Sequence, residues 1–95
     1  MYDMQFLRIL THGKVASLTN GFKLDDGRPF SVYVRPKSST DDVDVVVNAK
    51  CIGDSAASAI PVPLNAWSEA AIVELGNNAI NLSSYDVYWG AGSKN

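Results

Sequence analysis

The chain has 95 residues, 46% of them hydrophobic and 19% charged, a globular composition and not that of a disordered tail. One domain spanning residues 1–95 is the organisation expected at this length. Eight Lys plus Arg against ten Asp plus Glu give a net charge of −2, so no nucleic-acid partner is expected, because such modules carry basic patches to neutralise phosphates.

Cys51 is a lone cysteine, which excludes an internal disulfide framework and a multi-thiolate zinc site. The stretch Met1-Tyr2-Asp3-Met4-Gln5 lacks the basic and apolar regions of a signal peptide. No apolar run approaches the roughly 20 residues of a membrane helix. Synthesis in a reducing cytoplasm and no membrane association are therefore expected. Residues 1–5 read as an N-terminal arm that orders on assembly.

In chain order, short β-type runs recur between turn signals. Residues 4–10 alternate as a first strand, which His12-Gly13 is expected to end. Residues 14–18 read as a second strand closing on Asn20-Gly21, a strong turn dipeptide. Asp25-Asp26-Gly27 is a further turn, with Gly27 free to take a positive φ. Residues 30–35 form a strand with Phe30, Val32 and Val34 on one side, and Pro36 ends it by removing a backbone donor.

Residues 37–42 are a polar loop, and residues 43–51 carry the densest β-branched run. Val43, Val45, Val47 and Ala49 fall on one face of it, Asp44, Val46, Asn48 and Lys50 on the other. Ile60-Pro61-Val62-Pro63-Leu64 must be extended and suits an edge or a crossover. Residues 65–75 admit two readings. One is a helix capped by Asn65 and stopped by Gly76. The other, which we favour, is a strand over 70–75 with Ala71, Val73 and Leu75 on one face. Asn77-Asn78 is a turn, residues 79–82 a short extended piece, residues 85–89 a last strand, and residues 90–95 a flexible tail. Six or seven short strands without a long helix predict an all-β antiparallel sandwich or small barrel.

Catalytic constellations are thin. His12 is the single histidine and has no nucleophile or orienting acid at a known spacing. Cys51 follows a β-branched run and reads as a small buried hydrophobe. Asp25-Asp26 and Asp41-Asp42-Asp44 do not fit the twelve-residue calcium loop, since valines follow where ligands and a glycine are required, and they read as solvated turns. Glu69 and Glu74 lack support as a glycosidase pair, and Gly90-Ala91-Gly92 precedes no helix that would cradle a phosphate. No catalytic residue, metal or cofactor is expected, and a small hydrolase or lyase is the least favoured class.

The aromatics say more. Tyr85, Val87 and Trp89 share one face of the last strand, while Tyr88 takes the other with Asp86. With Trp67, just after the Pro-rich segment, Tyr85, Tyr88 and Trp89 are the interface candidates, because one set must fill the core and the other meet something else.

Three segments, Ile60-Pro61-Val62-Pro63-Leu64-Asn65-Ala66-Trp67, Ala71-Ile72-Val73-Glu74-Leu75 and Leu82-Ser83-Ser84-Tyr85-Asp86-Val87-Tyr88-Trp89-Gly90-Ala91-Gly92, carry a resemblance over residues 43–92. They resemble small β-rich virion structural proteins of tailed bacteriophages, which decorate the head or seat fibres and spikes. The resemblance implies a non-enzymatic virion protein, made in the host cytoplasm and bound to major capsid or tail proteins. It also implies a homo-oligomer, a trimer before a dimer, in which repetition supplies avidity. The alternative is a carbohydrate-binding sandwich that uses Trp67, Tyr88 or Trp89 as a stacking platform.

Overall fold

The computed structural model describes residues 9–92. The expectations for residues 1–5 and 93–95, and for most of the first strand, lie outside them. Six strands form: β1 (Ile9–Lys14), β2 (Ser31–Pro36), β3 (Asp44–Cys51), β4 (Ser58–Pro63), β5 (Ile72–Leu75) and β6 (Tyr85–Gly92). They make two three-stranded antiparallel sheets, ordered β1-β6-β2 and β4-β3-β5. The architecture is all-β, a small sandwich with six strands and, among the described residues, no helix.

One apolar cluster lies between the sheets. Val32 and Val34 of β2 and Val87 and Ala91 of β6 enter it from one side; Val47, Ala49, Val62, Ile72 and Leu75 enter it from the other. Each of these residues is at most 1% exposed. In β2, β3 and β6 alternation explains the choice, because a period of two sends every second side chain of a strand to the same face. Each buried Val, Ile or Leu contributes about 1.5–3 kcal/mol through removal from water.

The runs over 30–35 and 43–51 and the edge assignment of the Pro-rich segment appear as expected, and the helix reading of 65–75 does not. Val43 departs from the inward row and stands 79% exposed, one residue ahead of β3.

Several expectations are corrected. His12-Gly13 does not end the first strand, since β1 runs on to Lys14. Gly13 pairs with Trp89 and lies under its indole, where an added Cβ would meet Nε1 at 2.8 Å. The glycine there serves close packing, not a turn. Of the expected second strand only Lys14 is in a sheet; Val15 donates to the Val87 carbonyl at 2.8 Å and the chain then departs. In β5 the buried residues are Ile72 and Leu75, not the expected Ala71-Val73-Leu75 row, because the β3–β5 register shifts at Lys50/Cys51. The short extended piece expected over residues 79–82 is instead a run of bends and turns. Ala79 and Ile80 are buried from a turn, and Asn81 organises the next turn by accepting from the Ser83 amide at 2.9 Å. Gly90, Ala91 and Gly92 are no tail but the end of β6, the central strand of its sheet.

The outer sides of two strands are also occupied. The segment after β4 lies along β2: Asn65 donates to Val34 at 2.7 Å and Ser68 to Val32 at 2.8 Å. Buried Ser68 returns an acceptor, its Oγ taking the Val32 amide at 3.1 Å. Phe22 exchanges both backbone bonds with Leu75, at 3.0 and 2.8 Å, and so covers β5.

Candidate functional site

Among the described residues, the centre of β6 positions a surface that gathers charged and aromatic groups. Val32, Val34 and Val87 point inward, so their alternate neighbours Tyr33, Arg35, Asp86 and Tyr88 point outward. Register then aligns them in rows. Tyr88 stands opposite Tyr33 of β2 and Lys14 of β1, and Asp86 stands opposite Arg35. His12 lies in the next row of β1, opposite Gly90.

Asp86 organises the charges. Its carboxylate, 16% exposed, receives Lys14 Nζ at 3.2 Å, Arg35 at 3.4 Å and Lys37 Nζ at 3.9 Å. The hydrogen bond from Lys14, with Arg35 and Lys37 adding to it, holds the carboxyl below the usual aspartate range, against a smaller opposing effect of desolvation. Three cations around one carboxylate leave the face positive in an otherwise acidic chain. Lys14 Nζ and the Arg35 guanidinium also lie 6.0 and 5.9 Å from the Tyr88 ring centroid, the outer limit of a cation–π contact. At the β2 edge Trp67 meets Tyr33 edge-on, with centroids 5.5 Å apart. Tyr33, Tyr88 and Trp67 are each half-buried.

The four aromatics singled out from the sequence therefore divide. Tyr88 belongs to this face and Trp67 borders it. Tyr85 and Trp89 pack on the opposite side against the core, Trp89 at 6.2 Å from Phe22. Tyr33, Lys14, Arg35, Lys37 and Asp86 were not singled out. The signal for Tyr33 and Arg35 was present, since alternation in residues 30–35 puts them opposite Val32 and Val34. Lys14 and Lys37 join through pairing alone.

The reactive side chains stand apart. His12 is on the β1-β6-β2 sheet and Cys51 on the other. Desolvation, with the Asp54 carboxylate adding to it, pushes the Cys51 thiol up, the opposite of what a nucleophile requires. Asp26 is held by Arg28 at 2.8 Å in its own turn. Among the described residues no three His, Cys, Asp or Glu side chains converge as ligands. A separate open cleft of about 470 Å³ between residues 16–19 and 78–83 is lined by uncharged groups, Ser17, Thr19, Asn78 and Ile80 among them.

Compared with known protein families, curated proteins and solved structures, the chain matches none.

Proposed function

We propose that this protein is a non-enzymatic virion structural protein of a tailed bacteriophage, which decorates the capsid or seats a fibre or spike. The outer face of the β1-β6-β2 sheet is its docking surface. The observation that carries this reading is the Tyr33–Tyr88 row flanked by Lys14, Arg35 and Lys37 on an open sheet face. Tyrosine and arginine are the side chains that concentrate binding energy at protein contacts. The resemblance over residues 43–92 supplies the virion setting, and a lattice supplies the repetition that turns a modest contact into firm attachment.

The carbohydrate-binding alternative needs an open ring face. Lys14 and Arg35 stand at the Tyr88 ring, Trp67 meets Tyr33 edge-on and Trp89 packs inward, and these contacts favour a protein partner. The test is co-sedimentation of the purified chain with phage heads and tails that lack it. The wild type is expected to pellet with one of them and Tyr33→Ala/Tyr88→Ala to stay in solution. A wild type that pellets with neither, or that binds a glycan array through these tyrosines, overturns the virion reading.

A further inference from the structure

A second surface is built with the opposite chemistry. Residues 37–44 are eight consecutive exposed positions, and they end in Asp41-Asp42-Val43-Asp44. Val43 is 79% exposed, the most exposed of the large hydrophobic residues among those described. A loop that needed only solubility would have no use for it. None of the three carboxylates makes an ion pair among the described residues. The end of the loop and the first residue of β3 therefore present three negative charges beside the exposed Val43. The docking face presents Lys14, Arg35 and Lys37 around the Tyr33–Tyr88 row. The two are opposite in sign, three carboxylates against three cations that share the single Asp86 carboxylate, and each includes an apolar or aromatic group.

Resting on the docking reading above, we infer that the first partner of this face is a second copy of the chain, whose Asp41–Asp44 segment at the entrance to β3 seats on it with Val43 against the tyrosines. Lys37 belongs to the cation cluster and is also the root of the loop, so the giving and receiving surfaces adjoin. Adjoining complementary surfaces are satisfied together by a twofold axis, each copy giving its loop and receiving the other's. The result is a reciprocal dimer, in place of the trimer put first from the sequence. The contact rests on exposed charges, so salt weakens it as the screening length shortens.

Light scattering on the full chain at several concentrations tests this, at about 50 mM and about 500 mM salt, where the screening length falls severalfold. The expected result is a dimer at low salt whose dissociation constant rises at least tenfold at high salt. Asp41→Lys/Asp42→Lys lies wholly in the exposed loop and should weaken the dimer at least tenfold with unchanged circular dichroism. Lys14→Glu/Arg35→Glu should weaken it likewise, and mixing the two variants one to one should restore the dimer. Should the face variant misfold, the loop variant and the salt series decide alone. A monomer at every concentration, an assembly of any other number, or a dimer indifferent to salt and to the loop reversal overturns the inference. A strict monomer that still pellets with phage particles overturns the dimer and leaves the docking reading standing.

Discussion

Asp86 shows how one residue sets the character of a surface. Lys14, Arg35 and Lys37 would repel one another without a counter-charge, and the carboxylate among them holds all three within 3.9 Å. Its folded-state pKa is depressed by these partners, so the stability it contributes is present above the unfolded value and is lost as pH falls through the folded one. The wild type should therefore lose stability on acidification below about pH 4, the ordinary aspartate range. Asp86→Asn should flatten that acid limb in a denaturant series, and an unchanged slope would show that the cluster is not coupled to folding. Gly21 acts at the same scale through conformation. Its φ is +78°, and an added Cβ would lie 2.5 Å from the Leu75 carbonyl oxygen, so the Asn20-Gly21 turn also brings the chain against β5.

At the scale of the element, β4 shows how an edge is closed. Leu64 donates to Val43 at 3.0 Å, which continues the β3–β4 register and turns that amide toward β3. Alternation then turns positions 61 and 63 outward, and both are proline. The edge thus lacks the two donors that a further strand would pair with. Pro61→Thr/Pro63→Thr should restore them while keeping strand propensity. The expected outcome is slow concentration-dependent association seen by light scattering, with the Trp fluorescence of the fold retained. No association at high concentration would mean that the prolines serve only to keep the segment extended.

At the scale of the molecule, one central strand separates two functions. The side chains of β6 that point in, Val87 and Trp89, pack between the sheets; those that point out, Asp86 and Tyr88, lie on the face proposed for docking. Trp89→Ala should cost stability at the lower end of the about 3–5 kcal/mol seen for a large aromatic in a core, because the indole is partly buried against it. Tyr88→Ala should cost under about 1 kcal/mol, as surface substitutions do near the ±0.5 level, while abolishing binding to particles. Equal losses of stability in urea titrations would contradict this division. Charge is divided at the same scale. The face gathers three of the six described Lys and Arg residues with one of the nine described Asp and Glu, and the remaining surface is acidic.

The amino-acid pattern alone suffices for the β class, for the placement of β2, β3, β4 and β6, and for the turns at Asn20-Gly21 and Asn77-Asn78. Those signals are local: alternation of Val and Ile, proline without a donor, and Gly21 and Asn78 at positive φ. Its errors came where a non-local contact overruled a local preference. His12-Gly13 read as a stop because nothing local shows that Trp89 needs the space above Gly13. Gly90-Ala91-Gly92 read as a tail because small residues look disordered until β1 is seen to pair with all three and β2 with Gly90. The site was half legible for the same reason. Alternation separates Tyr88 from Trp89, but only strand pairing puts Tyr33, Lys14 and Arg35 beside Tyr88 and Asp86, since register between distant strands is a property of the folded sheet and not of any one segment.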